Sequence, residues 1–253
     1  MTKAEGLVQS KKLFKKISRK MGTTMRDHSL IVEGDRLLVG LSGGKDSMIL
    51  LEALVERMAA VPFHFEIIAA HVEATAIGYE MDREKLSEFC KSLNVALHYR
   101  SIEPDLEKNS SKSACFVCSW HRRKALFELT RELDCNKLAL GHHRHDAIET
   151  LLMNMIYHGR ISSMPYSLKM FDGRVHLIRP LLDLEENLLK EYAELNDLVK
   201  VEKICPHQDL AQRRKITRLI DEIETLHGPG PFNIFSSMNK VFPEYLPSDL
   251  DSE

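Results

Sequence analysis

The chain has 253 residues, 43% of them hydrophobic, and a formal net charge of −2, which allows one good core with a small appendage. A balance this near neutrality excludes polyanion binding by overall excess of charge, so any nucleic-acid surface must come from local segregation of basic residues. No apolar run approaches the roughly 20 residues of a membrane-spanning helix, and the start MTKAEGLVQSKKLFKKISRK lacks the apolar stretch of a secretory signal; the expectation is a cytoplasmic protein with no membrane association.

In chain order, residues 1–26 read as a basic helix. Leu13, Phe14 and Ile17 share one face, and Lys11, Lys12, Lys15, Lys16, Arg19 and Lys20 crowd the rest. Arg36–Leu41 is a short apolar run that reads as a buried strand. Asp46–Ala60 follows at helical spacing and stops at Pro62. Strands are expected at Phe65–Val72, Val95–Arg100, Lys137–Gly141 and His176–Leu182. Helices are expected at Asp82–Leu93, Trp120–Leu133, about His145–Tyr157 and Glu185–Leu195, with a more polar helical stretch beyond Lys200. Strands alternating with helices of this length predict an α/β fold: a doubly wound, Rossmann-like parallel sheet of five strands, with basic helical elements at both ends. The expected organisation is a basic N-terminal extension over 1–30, an α/β unit over 31–200, and a C-terminal helical segment over 201–253.

Ser42-Gly43-Gly44-Lys45-Asp46-Ser47 lies where a buried strand hands over to a helix. Two glycines let the backbone turn sharply and approach a ligand. The free N–H groups of the first helical turn, backed by the helix dipole, make an anion site. Ser42 and Ser47 add hydroxyls and Lys45 a charge. Asp46 beside phosphate is repulsive unless it caps the helix or holds a cation such as Mg²⁺. The spacing is not that of a Walker A loop.

The five cysteines are Cys90, Cys115, Cys118, Cys135 and Cys205. An odd number without a signal argues for reduced thiols. Cys90 and Cys135 sit near helix ends and read as small semi-buried residues. Cys115 and Cys118, just ahead of the Trp120 helix, are spaced to hold one metal or cluster; a redox pair or accidental spacing stays open. Cys205 adds a third thiolate. Three thiolates with an open position suit a cluster better than structural zinc, although His121 or His207 would complete a zinc site. Gly141 ends the fourth strand, and His142, His143, Arg144, His145 and Asp146 head the next helix. That cluster suits a metal, a set of phosphate and adenine contacts, or a polar cap. Trp120, beside the cysteine motif, suits either a stacking platform for a base or a place in the core, and core is the favoured reading.

The SGGKDS loop resembles the PP-loop of N-type ATP-pyrophosphatases, which cleave ATP between the α and β phosphates and use AMP to activate a carbonyl oxygen. The order of SGGKDS, CxxC followed by HRR, LGHHR with Asp146 and Glu149-Thr150, Asn154-Met155 through Leu168, an IRPL strand, and Cys205 ahead of Gln212-Arg213 is similar to that of the tRNA 2-thiocytidine synthetases. The resemblance implies an adenine nucleotide alpha hydrolase-like fold and an ATP site formed by Leu41, Ser42, Gly43, Gly44, Lys45, Asp46, Ser47, His71, Gly141 and His142. It implies catalytic roles for Lys45, Asp46 and Asp146, with Mg²⁺ on Asp46 and Asp146. It also implies a 4Fe–4S cluster on Cys115, Cys118 and Cys205, whose free iron carries the sulfur to be transferred. The implied product is 2-thiocytidine at position 32 of tRNA, with sulfur supplied by a donor such as a cysteine desulfurase. Two positions depart from the family: His145 replaces the first aspartate of LGHHRDD, and Glu73 is the nearest acid after the second strand.

Chemistry alone supports the same scheme. Adenylating an amide-like oxygen turns a poor leaving group into AMP, with Mg²⁺, the loop amides and Lys45 stabilising the departing pyrophosphate. Contacts to tRNA are expected from Lys12, Lys15, Lys16, Arg122, Arg123, Arg213 and Arg214. A homodimer is the default assembly. The competing expectations are thiolation or desulfuration of another base or small molecule, and a non-catalytic, metal-containing RNA-binding protein.

Overall fold

A computed structural model describes residues 3–74, 82–104, 114–198 and 210–247. Helix α1 (Lys3–Asp27) precedes β1 (Arg36–Gly40), α2 (Lys45–Ala60), β2 (Glu66–Ala74), α3 (Arg83–Ser92), β3 (Ala96–Ile102) and α4 (Ala114–Glu132). The chain continues through β4 (Lys137–Ala139), α5 (Arg144–His158), β5 (Ser167–Met170), β6 (Val175–Ile178), α6 (Glu186–Leu195), α7 (Leu210–Leu226) and α8 (Gly230–Ser237). The strands form one sheet in the order β3-β2-β1-β4-β6-β5. Five are parallel, as the alternation predicts, and β5 adds a sixth, antiparallel edge strand. Hydropathy does not reveal β5 because three of its four residues are exposed; it is held by pairing across the turn at Phe171–Gly173, where three successive residues take positive φ.

Period-two alternation sends successive side chains to opposite faces. Leu37, Val39 and Ala69 pack on one face with α1, α2, α3 and α6. Leu38, Ile68, Ala70 and Val72 pack on the other with Ala125, Phe127 and Leu129 of α4. A third cluster joins Ala147 and Ile148 of α5 to Ile216 and Ile220 of α7 and Phe235 of α8. Cys90 and Cys135 are both buried, as expected, and burial pushes the Cys90 thiol up to about 11.

The basic helix α1 is part of this core. Leu13, Ile17, Met21 and Met25, four apart, form a buried stripe. Polar bonds fix its pose: Ser10 Oγ donates to Asn196 Oδ1 at 2.8 Å, Thr24 Oγ1 donates to Asp183 Oδ2 at 2.7 Å, and Ser18 pairs with Glu56. Lys11, Lys12, Lys15, Lys16 and Arg19 stay on the exposed side. Among the described residues no helix is long and apolar enough to cross a membrane.

Candidate active site

The strand order reverses between β1 and β4, and ligands of open α/β sheets bind at such a point, beyond the carboxyl ends of the strands. Two loops meet there. Leu41–Gly44 is the whole turn between β1 and α2. Gly43 takes φ +77°, a conformation open to glycine. Gly44 opens α2 without a side-chain cap, so the helix start offers backbone N–H groups to an anion. Ser47 is buried and shapes the loop: its hydroxyl donates to the Gly44 carbonyl at 2.9 Å and accepts from the Ser42 N–H at 3.1 Å. Behind the loop, His71 Nδ1 lies 2.7 Å from the Leu41 carbonyl oxygen. A carbonyl only accepts, so that nitrogen carries the proton. Burial lowers the His71 pKa. His71 therefore supports the turn from beneath.

The second loop joins β4 to α5. A Cβ on Gly141 would lie 2.9 Å from both the carbonyl carbon and oxygen of Asp46, so the two loops are in backbone contact. His142 is neutral at pH 7: burial, aided by Arg179, Arg123 and Arg213 and opposed by Asp146, pulls it down to about 4. Asp146 accepts the His143 N–H at 2.9 Å and thereby caps α5. Burial opposes its ionisation. The charge and backbone N–H of His143, helped by His142 and Arg213, outweigh that and hold the carboxyl below its ordinary range. The buried His143 ring spans the two acids, with Nε2 3.9 Å from Asp46 Oδ2 and Nδ1 3.6 Å from Asp146 Oδ2. Lys45 Nζ sits 2.9 Å from Asp46 Oδ1 and 3.7 Å from Glu186 Oε1 at the start of α6. Leu41–Ser47, His71, Gly141, His142 and Asp146 are thus gathered at one place.

One member of this neighbourhood belongs to the LGHHR motif, but the sequence assigns it no role. Glu149, 7% exposed, accepts from Thr217 Oγ1 at 2.7 Å, lies 3.1 Å from Arg213 Nε and 3.6 Å from His145 Nε2. Burial works against its charge, but His145, Thr217 and Arg213 hold the carboxyl below its ordinary range. In return the Glu149 bond raises His145 against the opposing effect of burial. His145, the position that departs from the family, thus pairs one helical turn along its own helix. Glu186 carries no signal of its own in the sequence. It also lines a polar, half-open cavity of about 380 Å³ together with Arg144, His145, Thr217 and Phe232.

The other expected site residues are placed as follows. Lys12, Lys15 and Lys16 are exposed on α1, Arg123 on α4, and Arg214 on α7; Arg122 is half-buried. Arg213 is engaged with Glu149. The Cys115–Cys118 pair lies within the first turns of α4. That helix begins at Ala114, earlier than expected, because Val117 is buried and extends the apolar face through Ala125 and Leu129. The Cys118 side chain is half-buried, while the Cys115 side chain, Cys205 and His207 lie outside the described residues. Among the described residues no three potential ligands come together as a metal site. Trp120, expected in the core, is exposed, because its place on α4 faces away from the sheet.

Residues 13–220 match the PP-loop domain family. The chain is 34% identical over 243 residues to the tRNA-cytidine(32) 2-sulfurtransferase of Burkholderia cenocepacia (strain HI2424), covering 94% of this chain and 73% of that one. It is also 34% identical over 245 residues to the enzyme of the same name from Bordetella avium (strain 197N), covering 94% and 76%. Among solved structures, the U34-tRNA thiolase NcsA from Methanococcus maripaludis, described with its [4Fe-4S] cluster, superposes with a TM-score of 0.76 at 24% identity, covering 96% of this chain and 82% of that one. That likeness shows the fold. A PP-loop match across most of the chain, with relatives at this identity along nearly its full length, shows that the chain belongs to the PP-loop family and, within it, to the family of the tRNA-cytidine(32) 2-sulfurtransferases.

Proposed function

We propose that this chain is an ATP-dependent tRNA sulfurtransferase that adenylates the C2 oxygen of cytidine 32 and replaces it with sulfur. The observation that carries the reading is the backbone contact between the SGGKDS and LGHHRHD loops, in a chain whose relatives bear the sulfurtransferase name. In the first step the C2 oxygen attacks the α-phosphorus of ATP, forming an O–P bond as pyrophosphate leaves. In the second, a sulfur nucleophile at the oxidation level of hydrosulfide adds at C2, and AMP departs with the oxygen. Lys45 and the opening amides of α2 receive the charge growing on the pyrophosphate. Gly141 and neutral His142 line the opposite side, where a bare backbone and an uncharged ring admit the nucleotide.

Asp46 and Asp146 offer hard oxygen donors at either edge of the His143 ring, a set that fits Mg²⁺. Cys115 and Cys118, one turn apart on α4, with Cys205, offer thiolates that fit a 4Fe–4S cluster. When bound, Mg²⁺ neutralises phosphate charge and the cluster supplies the position from which sulfur is delivered. The exposed lysines of the 1–30 segment, with Arg122, Arg123 and Arg214, face the tRNA phosphates. A cysteine desulfurase as sulfur source, a homodimeric assembly and a cytoplasmic location complete the proposal.

Nucleoside mass spectrometry of tRNA from cells with and without the gene tests it. Loss of 2-thiocytidine, restored by the wild-type chain and not by Lys45→Ala, is the expected result. An unchanged nucleoside profile would assign the chain to another substrate.

A further inference from the structure

Helix α4 shows the solvent a face unlike an ordinary charged surface. Phe116 and Trp120, one turn apart, are 50% and 49% exposed. Lys124, the next turn along, holds its ammonium 5.7 Å from the centroid of the Trp120 ring, and Arg123 lies exposed beside them. His121 packs against the indole at a centroid distance of 4.9 Å and 83° between planes, and about half of the tryptophan stays exposed. From Ala114 to Phe127 the helix carries three basic side chains, Arg122, Arg123 and Lys124, and no acid. The charge of Arg123 on this helix reaches His142 of the candidate site and helps to lower its pKa.

We propose that Trp120, flanked by Phe116, Arg123 and Lys124, is a stacking platform for an unpaired base of the RNA substrate. The proposal rests on the tRNA reading above and adds to it a residue that binds the splayed loop. An exposed aromatic pair flanked by Arg123 and Lys124 matches single-stranded RNA, whose bases present π-faces to aromatic rings and whose phosphates need cations alongside. Lys124 also meets Glu128 at 3.8 Å on the next turn, an exposed pair that water screens and that a phosphate can displace. Trp120 immediately follows the CxxC turn, so a base held there keeps the neighbouring nucleotides of an anticodon loop beside the proposed sulfur-delivering position.

Trp120 is the only tryptophan of the chain, so its emission reports on this face alone. Unfractionated tRNA is titrated into the intact protein, following tryptophan emission and, in parallel, the anisotropy of fluorescein-labelled tRNA. The expected result is saturable quenching with the same midpoint as the anisotropy change. Trp120→Ala and Trp120→Leu should each weaken binding about 5- to 100-fold, the range for loss of one stacked base, and Trp120→Tyr should restore most of it. Unchanged emission at saturating tRNA, or full affinity in Trp120→Ala, would overturn the platform and leave the tRNA reading intact. Absence of any anisotropy change with the wild-type protein would overturn both.

Discussion

Gly141 approaches Asp46 so closely that a methyl group on its Cα would sit 2.9 Å from the Asp46 carbonyl oxygen. The obstacle is backbone at the first turn of α2, so a new side chain cannot be absorbed by rotation of a flexible neighbour. Gly141→Ala is expected to push the two loops apart, costing about 1–3 kcal/mol of stability and at least about tenfold in rate, as displaced donors lose the transition-state charge. Thermal melts and tRNA-dependent AMP release measure the two effects. A variant with wild-type melting and wild-type AMP release would show that the contact imposes no constraint.

Glu149 ties α5 to α7 through Arg213 and Thr217. Glu149→Gln keeps a carbonyl oxygen for the Thr217 hydroxyl and removes the charge that Arg213 and His145 meet. Because Arg213 is half-exposed, water screens the pair, and the expected loss is about 1–2 kcal/mol rather than the larger cost of a wholly buried ion pair. Urea unfolding of Glu149→Gln, Arg213→Ala and the double variant forms a mutant cycle. Additive losses would show that the two residues do not act together.

Glu52 on α2 accepts from the Tyr192 hydroxyl at 2.9 Å across to α6. Burial raises its carboxyl above the ordinary value of 4.5, with the Tyr192 bond opposing. A carboxyl raised by folding contributes its full share of stability below the unfolded value and loses it as pH climbs through the folded one. Wild-type protein should therefore lose stability relative to Glu52→Gln as pH rises from about 4.5 to neutrality. Chemical denaturation at both ends of that range gives the difference. A gap that stays constant or narrows toward neutral pH contradicts the assignment.

The exposed lysines of α1 lie opposite the stripe that α1 buries. Replacing Lys12, Lys15 and Lys16 with alanine should leave thermal stability within about 0.5 kcal/mol of wild type, as for ordinary surface changes. If the three meet tRNA phosphates, the slope of log K against log salt should fall by about 1–3. Binding isotherms at several salt concentrations measure it, and an unchanged slope would place the tRNA elsewhere.

The sequence by itself determined whatever depends on neighbours along the chain. The β1–α2 turn is legible because Ser42-Gly43-Gly44 must break a strand and open a helix within four residues, and the strand–helix alternation follows from apolar periodicity. The stripe Leu13–Ile17 announces a packed face of α1 in the same way. Tertiary structure decided what depends on distant segments. Strand β5 exists only because β6 offers it an edge. Glu149 is a lone acid until α7 brings Arg213, 64 positions later, to within 3.1 Å. Trp120 looks like core in a linear reading, because an aromatic on an amphipathic helix usually is; the register of α4 buries Val117 and Ala125 and turns Trp120 outward. Gly141 marks the division most clearly: its residue type follows from ending a strand near a ligand, while the carbonyl that forbids any larger residue belongs to Asp46 and was set by the crossing of two loops at the switch point of the sheet.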